Sequence, residues 1–406
     1  MKSIEGSVTA AKGFKATGFA AGIKKDKKDL ALIASDVPAT AAGAFTTNVV
    51  KATSVMRNMQ ILEKGIKISG IVANSGNANA CTGSLGVKSN KEMAECYAKC
   101  LGVESNAVLT ASTGVIGATF PIEKITDGIK GAFHNLGYKR DDALLAAEAI
   151  MTTDTYSKEV AVEFELGGKT VHMGGMAKGS GMICPNMATM LSFITTDANI
   201  SWALLNSALK EDIKSTYNMV SVDGDTSTND TVIVLANGMA ENECVETEGE
   251  DYNTFKEALH YINERLAKNL VRDGEGATKF IEVNVNGAKT KDDAKTIAKS
   301  VVKSSLFKAA IFGEDANWGR ALCAMGYSGV KFDPEKVDII FASDAGEILL
   351  MYNGTPIVFD EDKAKKILSE KEIKVNIVIR EGDKSATAWG CDLSYEYVKI
   401  NGDYRS

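Results

Sequence analysis

A threonine stands where a glycine-spaced loop runs into an apolar strand. In Met176-Ala-Lys-Gly-Ser-Gly-Met-Ile-Cys-Pro-Asn-Met-Ala-Thr-Met-Leu191 the first half carries Gly179, Gly181 and one lysine, Lys178. Pro185 has no N–H and constrains Cys184 before it. From Met190 onward Leu-Ser-Phe-Ile-Thr-Thr196 is short, apolar and β-branched, which predicts a buried strand. Thr189 therefore sits at the junction. A strand would fix its Cα while the glycines let backbone N–H groups approach a substrate, and a hydroxyl nucleophile needs both. The same spacing also fits a plain loop leading into a core strand.

Two other stretches carry types suited to acyl chemistry. Asn106–Thr110 reads as a strand running into Ala111-Ser-Thr-Gly-Val-Ile-Gly117. A Thr113-Gly114 pair in a turn past a strand end can offer a hydroxyl and an N–H to one point, as an oxyanion hole requires; an ordinary strand-to-helix turn has the same composition. Glu275, flanked by Gly274 and Gly276, suits a site loop and equally a solvent-facing turn. Other chemistries are poorly supplied. The histidines His134, His172 and His260 have no motif around them. The seven cysteines are scattered without a CxxC pair, so neither a zinc knuckle nor a disulfide framework is indicated. Asp223–Asp230 starts like a calcium loop but has Thr228 for the required glycine and Val234 for the closing glutamate, so it reads as a polar turn. Gly168-Lys-Thr170 is no phosphate loop, because position 163 is Glu163 and no helix pattern follows.

The run Lys178-Gly-Ser-Gly-Met through Pro185-Asn-Met-Ala-Thr-Met-Leu191 resembles the self-cleavage site of the ornithine acetyltransferases (glutamate N-acetyltransferases) of arginine biosynthesis, and the similarity extends from near the N-terminus to the last residue. The resemblance implies a cut between Ala188 and Thr189. That gives an alpha chain of residues 1–188 and a beta chain of 189–406, which begins with an acetyl-carrying threonine. The new α-amine, with a reference pKa of about 7.7–8, would serve as its base. By the same resemblance Thr113 and Gly114 form the oxyanion hole, and Thr152 (with Thr153 beside it), Lys178, Thr189, Glu275, Asn401 and Ser406 bind substrate. The last residue is often threonine in that family; Ser406 keeps the hydroxyl. The implied reaction is ping-pong: acetyl passes from N2-acetylornithine to Thr189 and then to glutamate. No cofactor is implied. Some members also take acetyl from acetyl-CoA, and the residues do not choose. The two chains would stay together as α2β2. One rival is a self-processing aminopeptidase of related fold, whose usual nucleophile is serine; the other is a non-catalytic binding protein with an inert loop.

The elements that must position these residues alternate between strand and helix. Asp29–Ser35 and Ser69–Ser75 read as strands, the second entering the small-residue loop Gly76–Ala80. Ser89-x-x-Glu92 reads as a capping box opening a helix whose core stripe includes Met93, Cys96, Tyr97, Cys100 and Leu101. Pro121 starts a helix, another spans Asp141–Met151, and Gly167-Gly168 marks a hairpin. Ser201 caps a helix reaching about Tyr217, Phe255–Leu270 makes a long amphipathic one, and Ala294–Ala309 a further one. Phe312–Arg320 reads as a polar loop. The tail reads as strands at 336–342, 348–351, 373–379 and 386–400. Pattern alone gives α/β or α+β, with the halves joined near residue 189; the resemblance implies a layered α/β/β/α sandwich with a smaller C-terminal α/β region.

Composition narrows the partners. With 406 residues, 45% hydrophobic and 24% charged, the chain is ordinary globular material for two or three domains. A net charge of −7 gives no reason to expect nucleic acid, so an anionic substrate must be drawn by local positive charge such as Lys178. No window reaches the length of a membrane span, and Met1–Phe19 lacks an apolar targeting region, which makes the cytoplasm the expectation.

Overall fold

A computed structural model of the chain describes residues 1–184 and 190–402. Among these the strands are β1 (Lys2–Ile4), β2 (Phe14–Phe19), β3 (Leu30–Phe45), β4 (Ile68–Asn77), β5 (Val108–Val115), β6 (Lys158–Leu166), β7 (Lys169–Lys178), β8 (Leu191–Thr196), β9 (Val220–Ser221), β10 (Thr231–Ala236), β11 (Phe280–Ala288), β12 (Val337–Ser343), β13 (Gly346–Tyr352), β14 (Thr355–Pro356), β15 (Glu372–Ile379) and β16 (Lys384–Cys391). The helices are α1 (Thr53–Leu62), α2 (Gly83–Leu101), α3 (Ile122–Phe133), α4 (Arg140–Ile150), α5 (Trp202–Ile213), α6 (Glu250–Arg272), α7 (Lys291–Lys303), α8 (Ser305–Phe312), α9 (Trp318–Gly326), α10 (Glu361–Leu368) and α11 (Tyr395–Gly402). They form two compact units. The first is Met1–Gly179, Pro185–Asn218 and Thr226–Leu270; the second is Ser180–Cys184, Met219–Asp225 and Val271–Ser406.

In the first unit β3 serves two groups of strands. Its first half pairs with β2 and β4, its second half with β10, and the β3–β4 register shifts between Ala34 and Ala39, where Pro38 has no N–H to give. The strand order is β1-β6-β7-β8-β10-β3-β4-β5. Alternation then sorts the side chains. Leu30, Leu32, Val72 and Val108 face outward onto Met93 and Tyr97 of α2 and Ile125 and Ile129 of α3. Ala31, Ile33, Ile71 and Leu109 face inward to a core shared with Ala143, Ala146 and Ile150 of α4 and with Met176, Phe193 and Ile233 of the other strands. Beyond those strands, Ile262 and Leu266 of α6 reach to 3.1 Å from where a side chain at Gly175 would start. Helix, sheet, sheet and helix thus follow one another, as the resemblance implies. The strand expected from Met190 is β8, fully buried between β7 and β10.

The second unit is a sheet of order β14-β13-β12-β15-β11-β16-β9 with α7 on one face. Ile297, Val301 and Val302 of α7 are buried, and Gly390 of β16 lets Val302 approach to 3.0 Å of its missing Cβ. The units do not follow a single division near residue 189, because segments of both halves belong to each.

Several local expectations need correction. Ser89 lies six residues inside α2, which starts at Gly83, so Ser89-x-x-Glu92 caps nothing. The helix expected over 294–309 breaks at Ser304, whose Oγ accepts the Phe307 N–H at 3.3 Å and starts α8. Trp318 opens α9 instead of lying in a polar loop, with Asn317 accepting the Arg320 N–H. The end of the chain, read as strand, is helix α11 from Tyr395. The hairpin holds: Gly167 and Gly168 turn with φ of 55° and 75°.

Helices α5 and α6 are joined by an ion network whose pH dependence can be measured. His260 Nδ1 lies 2.5 Å from Asp212 and Nε2 lies 3.3 Å from Glu264, which also holds Lys268. The Asp212 and Glu264 carboxylates push the imidazole pKa up to about 10, and His260 in turn draws Glu264 down to about 2. A raised histidine stabilises fully below its unfolded value of about 6.5 and loses that contribution as pH rises through 10. A depressed glutamate stabilises above about 4.3 and loses it as pH falls toward 2. His260→Gln should therefore lower the melting temperature by a few degrees near pH 5–6.5, with the gap closing toward pH 10. A gap that is constant over that range, by scanning calorimetry, would exclude a role for the imidazolium.

Candidate active site

The oxyanion candidates are held by backbone pairing. Ser75 pairs with Thr113 and Gly76 with Gly114, so the two residues end β5 and do not form a turn beyond it. Gly114 has φ +128°, and a Cβ there would lie 2.4 Å from the Gly76 carbonyl carbon. Only glycine fits there. Lys178 is the last residue of β7, paired with Leu191 across the ladder and 7% exposed. It belongs to the strand and not to the loop it was read in. Its Nζ donates to Thr113 Oγ1 at 3.3 Å. An ammonium can only donate, so Thr113 accepts there and its own hydroxyl hydrogen is left to point elsewhere.

Asp154, in the segment between α4 and β6, is the centre of this cluster. Its Oδ2 accepts the Thr152 N–H at 2.9 Å, and its Oδ1 accepts the Gly179 N–H at 2.6 Å and Lys158 Nζ at 2.7 Å. Neither charged side chain of that ion pair is exposed. Burial alone would raise the Asp154 pKa, but Lys178 and Lys158 overcome it and hold the group at about 2. Lys24 donates to the Met151 carbonyl at 2.8 Å, with burial lowering its pKa to about 8. Asp29, by contrast, is spoken for by the amides of Ala21, Ile23 and Lys24.

The run 223–230, read as a polar turn, is exposed at Asp225 and goes inside only at Thr228–Asp230. Asn229 Nδ2 donates to the Ala78 and Ser112 carbonyls at 2.6 and 2.7 Å, which ties the start of β10 to the residue before Thr113. Asp230 is 1% exposed, and burial raises its pKa well above the usual carboxylate range. The β8–β10 register begins at Leu191 beside Thr231, and the Thr231 N–H donates to the Met190 carbonyl at 2.9 Å.

Within the second unit Asn401 Nδ2 donates to Glu275 Oε2 at 2.8 Å, leaving Oε1 for another donor. Gly181 brings its backbone against that carboxylate: a Cβ would stand 2.3 Å from it. The Glu275 N–H donates to Ser180 O at 2.8 Å, and Asp223 accepts the N–H groups of Met182 and Ile183 at 2.6 and 2.8 Å. Of the expected site residues, then, Thr113, Gly114, Lys178 and the Thr152 backbone gather in one unit, and Glu275 with Asn401 in the other. Ala188, Thr189 and Ser406 lie outside the described residues. Asp154, Asn229, Asp230 and Lys24 were not expected. Their one signal in the sequence is acidic and hydroxyl residues packed between apolar elements, as in Thr152-Thr-Asp-Thr155. Among the described residues no cluster suits a metal ion, and no helix is long and apolar enough to cross a membrane.

A layered sandwich that brings a threonine and a glycine at the end of one strand ladder to a buried lysine at the end of another is a framework suited to an acyl-transfer enzyme, where a carbonyl oxygen gaining charge needs fixed donors. The chain belongs to the ArgJ family, which it matches over residues 15–406. It is 53% identical to the arginine biosynthesis bifunctional protein ArgJ of Caldanaerobacter subterraneus subsp. tengcongensis, over 100% of both chains. It is also 53% identical to ArgJ 1 of Clostridium acetobutylicum, over 98% of each. A solved ArgJ chain from Bacillus halodurans is 47% identical, with a TM-score of 0.51, and the match covers 53% of this chain and 100% of that one. The chain is accordingly an acetyltransferase of arginine biosynthesis.

Proposed function

We propose that Thr189 carries acetyl from N2-acetylornithine to glutamate, in a chain that first cuts itself between Ala188 and Thr189. The observation that carries the reading is the Lys178–Leu191 pairing, which returns the chain to the ladder two residues after Thr189, with Thr113 at 3.3 Å from Lys178. In the intact chain the Thr189 hydroxyl attacks the Ala188 carbonyl, the C–N bond breaks to give an ester and a free α-amine, and water opens the ester. In turnover that amine takes the hydroxyl proton as oxygen attacks the acetyl carbon. Gly114 N–H and the Thr113 hydroxyl hold the oxyanion, the C–N bond breaks, and the proton leaves with ornithine. Glutamate's amine then attacks the ester and restores the hydroxyl. Lys178 holds a substrate carboxylate; Glu275, steadied by Asn401, receives an ammonium, and Thr152 and Ser406 complete the binding set.

The same acetyl-enzyme can be filled from acetyl-CoA, a second substrate and not a cofactor, in keeping with the bifunctional relatives. The solved relative that spans 53% of this chain over its whole length is about the size of the proposed 218-residue beta chain, which supports a two-piece protein. The pieces assemble as α2β2 in the cytoplasm.

Intact-mass spectrometry tests this. With N2-acetylornithine and no glutamate, the 218-residue piece should gain one acetyl group on its first residue. Glutamate should remove it as N-acetylglutamate, and water alone only slowly. An acetyl on another residue, or fast loss without an acceptor, sinks the reading; the second result would favour a hydrolase.

A further inference from the structure

Three ammonium groups converge on one carboxylate in the first unit. Lys158 is bound to Asp154 directly, and Lys178 and Lys24 both act on it through space. A second carboxylate near Lys178 is Asp230, whose pKa burial raises well above the usual range. Asp154 also accepts the N–H of Thr152 and of Gly179, the residue following Lys178. One side chain thus fixes the backbone at Thr152 and at Gly179 while supplying a negative charge beside Lys178.

We propose that Asp154 is the positioning residue of the acetyl-transfer site, setting Thr152 and Lys178 in one arrangement and keeping Lys178 charged for the substrate carboxylate. This rests on the reading that Lys178 binds substrate, but the position and charge of Lys178 can be tested separately. Removing an anion lowers the pH at which a neighbouring ammonium gives up its proton, by about 1–3 units for close neighbours. Among the described groups, Asp154, Lys24 and Asp230 act on Lys178 and Lys158 shares Asp154 with it, so removing Asp154 takes an anion from beside several ammonium groups. Asparagine keeps the shape but turns an amide donor toward one of the N–H groups that Asp154 accepts.

The test is Asp154→Asn, made both in the native chain and in a Lys158→Met background where no buried cation is stranded. Competitive labelling with trace acetic anhydride across pH, read by peptide mass spectrometry, gives the titration midpoint of Lys178 without needing turnover. Adding Asp154→Asn should lower that midpoint by about one pH unit or more in either background. The KM for glutamate should rise up to about tenfold at pH values above both midpoints, where a one-unit shift lowers the charged fraction of Lys178 about tenfold, with kcat changed much less and the difference vanishing below the lower midpoint. An unchanged midpoint in the Lys158→Met background overturns the proposal, as does a fall in kcat at constant KM. If the native chain transfers no acetyl, the functional reading fails, and the labelling still decides the role of Asp154.

Discussion

Thr189→Ala should run as a single chain of 406 residues on a denaturing gel, where the native sequence gives pieces of 188 and 218. The hydroxyl serves first as the nucleophile toward Ala188 and later as the acetyl carrier, so one substitution removes both events. Acetyl transfer should drop by on the order of 10⁴-fold or more, as when the nucleophile of another acyl-transfer enzyme is removed. Thr189→Ser keeps an attacking oxygen and should still be cut. The two results together separate loss of chemistry from loss of fold, since both chains should melt in one cooperative transition. An uncut Thr189→Ala chain that still moves acetyl would end the proposal.

Thr113→Ala should lower kcat by ~10²–10³ while leaving the KM values within a few-fold, the loss expected for one oxyanion donor. The structure sharpens the reason. Lys178 Nζ can only donate to Thr113 Oγ1, which turns the threonine's own hydrogen away from the lysine. Thr113→Ser should therefore recover most of the rate, whereas Thr113→Val, of nearly the same volume, should not. Steady-state kinetics with saturating glutamate distinguishes them. A valine chain as fast as the native one would remove Thr113 from the oxyanion site, leaving Gly114 N–H as its donor.

What could be read in the sequence was whatever depends on neighbours along the chain. The Gly167-Gly168 turn, the apolar run from Leu191 and the stripe from Phe255 to Leu270 all announce themselves within a few residues, and each is where it was expected. Misreadings arose where a local pattern had more than one use. Ser89-x-x-Glu92 satisfies a cap formula in the middle of α2, and the Tyr395–Ile400 stretch alternates like a strand while folding as α11. Ser304 ends one helix and caps the next with no glycine or proline to betray it.

The site divides in the same way. Thr113, Gly114 and Lys178 could be named because a Thr-Gly pair past a strand and a lone lysine in a glycine-spaced run match the family's motifs. Asp154 does not, because its importance lies in Lys178 arriving from β7 and in the burial of Lys158, four residues along. Charge compensation is settled only when burial removes water from both partners. The polar run at 223–230 looked like surface for the same reason: Asn229 finds its acceptors, Ala78 and Ser112, more than a hundred residues away.

Strand β8 is held by two ladders, six residue pairs to β7 and six to β10. Lys178 and Leu191 face each other across the first of them, so the ends of the segment between are already joined through the ladder. Its covalent continuity therefore serves chiefly as an effective concentration, bringing two edges together when the chain first folds. Once both ladders exist, severing that segment changes the molecularity of unfolding without removing a pair from the sheet. Denatured pieces would then have to meet by diffusion, and recovery would depend on the square of their concentration. The peptide link across this loop belongs to the molecule's first assembly, while the ladders alone hold what it assembled.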